Sequence, residues 1–286
     1  HRWADFRASV GAGSVQPRVA VIGGGAAGVE LALAMAHSLR ALGRDGVEIS
    51  LIESYNILNT LSKPARRALS RKLTSLGISV LENADIVALE KGRVRVADGR
   101  SVAAEFVVGA AGARPQDWLD ATGLELSDGF VRVDSALRST SAPDIFATGD
   151  CARMDRAPRP KAGVFAVRQA PVLFANLRGA RLGGAMRNFR PQKQYLKLIS
   201  LGGKSAMADK WRLHLSGATV WRLKDRIDRK FMDQFHDLNP MPAPALPKQR
   251  AQGLDQPPVP LCGGCGAKIG GVALADALDG LNSAAR

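Results

Sequence analysis

The sequence contains few cysteines, few aromatic residues and no long apolar run free of glycine and charge. Three of its 286 residues are cysteine, which is too few for a disulfide framework and predicts a reducing, cytoplasmic location. The most apolar stretch, residues 19–36, contains a glycine cluster and Glu30, so it predicts a strand and a helix rather than a transmembrane segment. No signal peptide is recognisable, and because position 1 is not Met we expect a piece of a longer protein.

The positive charge of the chain is concentrated in residues 151–250. The net charge is +14; residues 1–150 contain 17 basic and 17 acidic side chains, whereas residues 151–250 contain 21 and 6. Such a region can face acidic lipid, an acidic domain or phosphates. It is not interleaved with a nucleic-acid recognition motif, so we expect no nucleic-acid partner.

The strongest local motif lies between residues 18 and 42. Residues 18–22 predict a strand and residues 26–42 predict a helix. The glycines between them have the Gly-x-Gly-x-x-Gly spacing of a dinucleotide-binding turn, which places a pyrophosphate at the helix N-terminus. A glycine-rich turn without a ligand is the alternative. The predicted cofactor-binding residues of this turn are Gly23, Gly24, Gly25, Ala26, Ala27 and Gly28.

Glu53 strengthens the dinucleotide interpretation. It directly follows a second predicted strand, residues 47–52, at the spacing expected of a carboxylate that binds the adenosine ribose hydroxyls. No arginine lies beside it, and a carboxylate would repel the extra phosphate of NADP. The sequence therefore favours NAD(H).

The rest of the first domain is predicted from caps and alternating patterns. Ser62 is a candidate N-cap for a helix that ends at Leu76. Further strands are predicted at 78–81, 86–90, 93–97 and 106–110. We assign residues 16–112 to an NAD(H)-binding domain and residues 1–15 to the tail of a preceding segment plus a linker.

Two later motifs resemble a known family. The segments Ala-Ala-Gly-Ala-Arg-Pro at 110–115 and Asp-Ile-Phe-Ala-Thr-Gly-Asp-Cys-Ala at 144–152 resemble signatures of the pyridine nucleotide-disulfide oxidoreductase superfamily, and residues 25–31 are similar to type II NADH dehydrogenases. The resemblance implies an α/β, Rossmann-like two-dinucleotide-binding (FAD/NAD(P)) fold. It also implies a flavoprotein that transfers hydride from NADH through FAD to an unknown acceptor, such as a quinone.

The resemblance assigns roles to individual residues. Gly112 and Gly149 fall in the two signatures, and Asp150 would hold the ribityl chain of FAD; an ordinary turn residue is the alternative for Asp150. Glu30 matches a glutamate near the nicotinamide and flavin, and a surface glutamate favoured by the helix dipole is the alternative. A helix start pointing at the flavin is implied for Lys161, Gly163 and Val164.

The sequence predicts a truncated flavin half. Family members have two glycine motifs, whereas this chain has one, so residues 113–190 would be the second half of an FAD-binding domain. A flavin-free NAD-binding or docking module is therefore the alternative function. A helix is predicted from Pro160 to Leu177, kinked or restarted at Pro171.

Residues 191–238 predict a small α+β interface domain. Strands are predicted at 195–201 and around Ala206 and Val220. An amphipathic basic helix follows, because apolar residues recur every four positions among arginines and lysines. Resemblance to type II NADH dehydrogenases implies peripheral contact with the inner face of the membrane; packing on its own domain or in a homodimer is the alternative. The apolar positions are Leu223, Ile227, Phe231 and Phe235.

A proline-rich linker at 239–260 precedes a second resemblance. Residues 261–270, Leu-Cys-Gly-Gly-Cys-Gly-Ala-Lys-Ile-Gly, are similar to the catalytic N-terminal segment of selenide, water dikinase (selenophosphate synthetase). The resemblance implies catalytic roles for Cys265 and Lys268, with zinc binding by Cys262 and Cys265 as the alternative. Residues 261–286 would then begin a fused selenophosphate synthetase domain, a partner of the first module. Selenophosphate synthesis from selenide and ATP is the second activity to consider for the full-length protein.

Overall fold

The computed structural model describes residues 1–192, 194–211 and 213–236. The chain divides into two units, His1–Arg222 and Leu223–Arg286. The helices are α1 Arg2–Gly11, α2 Ala26–Arg40, α3 Lys63–Ser75, α4 Gly163–Leu182 and α5 Ala218–His236. The strands are β1 Arg18–Ile22, β2 Glu48–Ile52, β3 Ile78–Leu81, β4 Ile86–Glu90, β5 Arg93–Val96, β6 Ser101–Ala103, β7 Phe106–Gly109, β8 Leu126–Ser127, β9 Phe130–Arg132, β10 Ala152–Arg153, β11 Lys197–Ser200, β12 Ala206–Lys210 and β13 Leu213–Gly217.

A parallel four-stranded sheet in the order β3-β2-β1-β7 forms the centre of the first unit. In its register Val21 of β1 pairs with Leu51 of β2 and Val108 of β7. Leucines of α2 and α3 pack with this sheet in the main core, and the antiparallel sheet β4-β5-β6 packs on Ala20 and Ile52 in a second cluster. The central strand β1 is buried on both faces, as expected of an apolar parallel strand. The predicted α/β, Rossmann-like fold is confirmed.

The first sixteen residues contain more structure than the predicted linker. Residues 2–11 form α1, and its Phe6 and Val10, four positions apart, are buried in the main core. The Phe6 ring stacks on Phe106 of β7 with 5.1 Å between ring centroids, and Trp3 meets Phe106 edge-on at 5.4 Å. This helix is ordered by aromatic packing on the sheet, a tertiary contact that its own sequence does not reveal.

Helix α4 runs unbroken through Pro171, so the predicted restart is wrong. Its C-terminus is fixed by Asn176, which is fully buried. The Asn176 amide donates to the carbonyls of Ala136 and Arg187 and accepts from the Arg187 N–H. Contacts of this kind offset the one backbone bond that an internal proline removes. The small sheet β10-β9-β8 lies beside the segment that leads into α4.

The antiparallel sheet β11-β12-β13 packs on α2. Ile199 and Met207 of this sheet join Leu33 of α2 in the main core. The strand predicted around Val220 is wrong: β13 ends at Gly217, which has φ +137°, and Val220 lies in the first turn of α5. Gly217 permits the sharp exit from the strand because it has no Cβ.

In the second unit, the described residues are the remainder of α5, which confirms the predicted basic helix. Lys224 pairs with Asp228 at 3.0 Å and Arg229 with Asp225 at 2.8 Å, each one turn apart. The four apolar positions of the stripe are between 45 % and 59 % exposed. Among the described helices, none combines the length and apolar character needed to cross a membrane.

Candidate functional site

A cleft of about 900 Å³ opens at the carboxyl ends of β1, β2 and β7. Residues of the glycine turn form its floor, and the segments that follow β2 and β7 form its sides. Its size lies within the range of small-molecule sites, and this edge of a parallel sheet is where ligands of doubly wound folds bind. Five of the six predicted turn residues, 23–27, line the cleft, whereas Gly28 does not.

Three glycines of the turn differ in whether local packing requires a glycine at that position. Gly23 has φ +106°, and a Cβ there would lie 2.5 Å from the Ala110 carbonyl oxygen. A Cβ on Gly28 would lie 1.8 Å from the Gly23 carbonyl oxygen, so this glycine allows α2 to approach β1. A Cβ on Gly25 would meet nothing within 4 Å. Only Gly25 is unexplained by packing, and its open side lies in the cleft.

The N-terminus of α2 is suited to binding an anion. Its N-cap Gly25 provides no side-chain hydrogen bond, and the first turn has no acidic residue. The N–H groups of a first helical turn have no intrahelical partner and carry the positive end of the helix dipole. Gly25, Ala26 and Ala27 line the cleft, so a phosphate there would meet backbone donors.

Glu53 lies where the sequence predicts, at the end of β2. Its two carboxylate oxygens accept hydrogen bonds from the Gly24 N–H at 2.5 Å and the Tyr55 N–H at 3.0 Å. Gly24 permits this approach, because a Cβ there would lie 2.4 Å from Ile57 and 2.9 Å from the Glu53 Cβ. Each oxygen keeps a second lone pair, so the carboxylate can also accept from ribose hydroxyls.

Glu30, Gly112, Lys161 and Tyr195 also line the cleft. Glu30 is on the second turn of α2, and its Oε1 accepts a hydrogen bond from the Ser200 N–H of β11 at 2.7 Å. This contact joins the sheet β11-β12-β13 to helix α2. Gly112 follows β7 with φ +93°, a conformation that favours glycine.

Three of the predicted flavin-binding residues, Gly149, Asp150 and Lys161, line a second cavity of about 110 Å³. Gly149 has φ +67°, and its N–H donates to Oε1 of the buried Gln169 at 2.7 Å. Asp150 follows it and is exposed. Gly163 and Val164 begin α4, whose N-cap Ala162 offers no side-chain hydrogen bond.

Lys161 connects the cavity and the cleft. Its ammonium donates to the Ala152 carbonyl at 2.6 Å and lies 3.7 Å from the centroid of the Phe130 ring. Partial burial lowers the pKa of Lys161, and the negative charge of Asp150 opposes that shift. Lys161 is therefore a cation held between the two sites.

Known proteins share the sequence pattern of this chain. The sequence profile of the pyridine nucleotide-disulphide oxidoreductase family matches residues 7–170. The chain belongs to this family. A curated relative, nitric oxide reductase FlRd-NAD(+) reductase of Aeromonas salmonicida, is 34 % identical over 157 residues, which cover 52 % of this chain and 38 % of the relative. The chain thus spans less than two-fifths of that relative's length.

Solved structures agree on the fold. An FAD-dependent pyridine nucleotide-disulphide oxidoreductase from Desulfovibrio vulgaris is 26 % identical with a TM-score of 0.51, over 71 % of this chain and 52 % of that one. NDH2 from Plasmodium falciparum, solved in complex with NADH, is 17 % identical with a TM-score of 0.63, over 77 % and 64 %. At 17 % identity the second likeness concerns the fold alone.

Two polar residues near the cleft and the cavity were not predicted from the sequence. Gln169 fixes Gly149, and Tyr195 lines the cleft. A glutamine within an apolar helix was a usable signal for the first, whereas Tyr195 belongs to no motif. Cys262, Cys265 and Lys268 lie outside the described residues; within the described ranges no group of three His, Cys, Asp or Glu side chains could hold a metal.

Proposed function

We propose that this chain is the NADH-binding part of an FAD-dependent NADH oxidoreductase. The observation that carries the proposal is Gly25: it is the one glycine of the turn that packing leaves unexplained, and it opens into a cleft of about 900 Å³ with Glu53 at one side. Family membership and the NAD(+) reductase named among the relatives support it.

NADH would lie across the glycine turn. Its pyrophosphate would accept hydrogen bonds from backbone N–H groups at the start of α2, and the adenosine ribose would donate to Glu53. The Glu53 carboxylate disfavours the extra phosphate of NADPH, and no basic residue occurs from 51 to 62. The cofactor is therefore NAD(H) rather than NADP(H).

FAD, when bound, would accept a hydride from NADH and pass electrons onward. Asp150 beside the left-handed Gly149 suits the sugar-alcohol chain of FAD, and the uncapped start of α4 at Gly163 and Val164 suits an electron-rich ring edge. The residues thus fit the flavin end of FAD. The glycine turn would serve NADH, and a flavin-free NADH-binding module is the second candidate.

Glu30 is assigned to the nicotinamide side of the same cleft. The Ser200 N–H holds one of its oxygens, so the carboxylate has a fixed direction beside the bound cofactor. A surface role favoured by the helix dipole is less consistent with its position in the cleft wall.

The acceptor and the partners are proposed from sequence. Residues 261–270 support fusion to a selenophosphate synthetase, in which Cys265 and Lys268 would act on selenide and ATP. Oxidised selenium or a quinone would then be the acceptor class. The exposed apolar stripe of α5, with Lys224, Arg226, Arg229 and Lys230, supports either a homodimer contact or peripheral binding to the inner face of the membrane from a cytoplasmic location.

NADH titration of the full chain tests the function. Wild type should bind NADH in preference to NADPH, and Glu53→Ala should weaken NADH by roughly tenfold to a hundredfold because hydrogen bonds to a charged group are lost. Yellow protein that bleaches with NADH supports the flavoprotein; colourless protein that binds NADH supports the flavin-free module. Equal NADH affinity in wild type and Glu53→Ala would contradict the assigned site.

A further inference from the structure

Tyr195 is part of the cleft wall although no motif includes it. It precedes β11 and is half-buried, with its ring edge-on to Phe165 of α4 at 5.6 Å between centroids and an interplanar angle of 82°. Phe165 is buried. The Tyr195 ring is therefore placed by a fixed neighbour, rather than by a loose surface contact.

The direction in which a dinucleotide would bind determines which part of it lies near Tyr195. The glycine turn fixes the pyrophosphate in the middle of the cleft, and Glu53 beyond β2 fixes the adenosine side. The other nucleoside half must then extend along the remaining lining of the cleft, which includes Glu30, Lys161 and Tyr195. Among the described residues that line the cleft, the aromatic ones are Tyr195 and Tyr55, and Tyr55 is two residues from Glu53.

Tyr195 also lines another cavity. This space of about 240 Å³ is lined by Ser62, Lys197, Asp209 and Trp211 among others. The Lys197 ammonium lies 5.5 Å from the Tyr195 ring centroid. Burial raises the pKa of the Tyr195 phenol, so the side chain is uncharged at neutral pH and presents an apolar surface with one hydroxyl.

We propose that the Tyr195 ring contacts the nicotinamide ring of NADH and so makes the cleft select ligands that carry this ring. The inference rests on the proposed function, because it assumes that NADH occupies the cleft. Tyr195 acts as a specificity-determining residue: it distinguishes NADH from ADP-ribose, which has the same adenosine and pyrophosphate but lacks the nicotinamide.

Calorimetric titrations of the full chain with NADH and with ADP-ribose test this assignment. Tyr195→Ala should weaken NADH roughly fivefold to tenfold, the usual worth of an aromatic contact, and should leave ADP-ribose affinity unchanged. Tyr195→Phe keeps the ring and should bind both ligands like wild type. Trp211→Ala removes an exposed aromatic residue that lines only the neighbouring cavity, and it serves as the matched control.

The outcomes separate the two proposals. Unchanged NADH affinity in Tyr195→Ala, or an equal loss for both ligands, would overturn the role of Tyr195 while leaving the NADH site in place. Equal loss would show that Tyr195 only supports the cleft through Phe165. A wild-type chain that binds neither ligand would overturn the proposed function itself. Thermal unfolding of each variant checks that the affinities compared are those of folded protein.

Discussion

Replacing Gly25 with aspartate should abolish NADH binding while the fold stays intact. Gly25 has φ −69° and ψ −179°, an extended conformation that any residue adopts, and a Cβ there meets no atom within 4 Å. Aspartate is a preferred N-cap, and its charge suits the helix N-terminus. The free energy of unfolding should therefore stay within about 0.5 kcal/mol of wild type or rise slightly.

The same aspartate opposes the ligand. A carboxylate about 4 Å from a phosphate costs roughly 4 kcal/mol at an effective dielectric constant of 20, which corresponds to a loss of affinity on the order of 100-fold to 1000-fold. The substitution thus separates the two functions of the helix N-terminus: stability is kept and anion binding is lost.

Gly28→Ala is the matched comparison. Its Cβ would lie 1.8 Å from the Gly23 carbonyl oxygen, so β1 and α2 must move apart at a cost of about 3 kcal/mol, the upper range for overpacking. Thermal unfolding and NADH calorimetry on both variants provide the measurement. Gly25→Asp that binds NADH like wild type, or that unfolds as readily as Gly28→Ala, would refute the reasoning.

Two further predictions concern residues outside the cleft. Asn176→Leu should lower the free energy of unfolding by about 3 kcal/mol, measured by urea denaturation, because it leaves three backbone groups unpaired. The pKa of Glu125 is lowered, first by the Thr140 hydroxyl and then by Arg132. Its stabilising contribution is therefore present above its unfolded pKa and is lost as the pH falls through the folded one. Glu125→Gln should destabilise at pH 7, and the destabilisation should shrink as the pH falls below the unfolded pKa; an effect independent of pH would contradict this.

The sequence predicted the structure correctly where the structure depends on interactions between residues close together in the chain. The strand, turn and helix around Gly23–Gly28 were predicted because glycine spacing and apolar runs act over a few residues, and Glu53 was found by its fixed distance from that turn. Two predictions were wrong, the strand around Val220 and the restart at Pro171. In both, a distant contact or a single glycine outweighed local preference, since α4 is held by Asn176 and β13 ends at Gly217.

The sequence by itself determined the fold class, the glycine turn and the carboxylate that follows β2, because these depend on periodicity and short spacings. Only the tertiary structure showed which glycine is open to the cleft. The motif predicts separate roles for its three glycines, and in the structure backbone atoms within 2.5 Å require Gly23 and Gly28, whereas a Cβ on Gly25 would meet open space. The tertiary structure also brought Tyr195 beside residues more than 30 positions away, a proximity that depends on packing rather than on any local pattern.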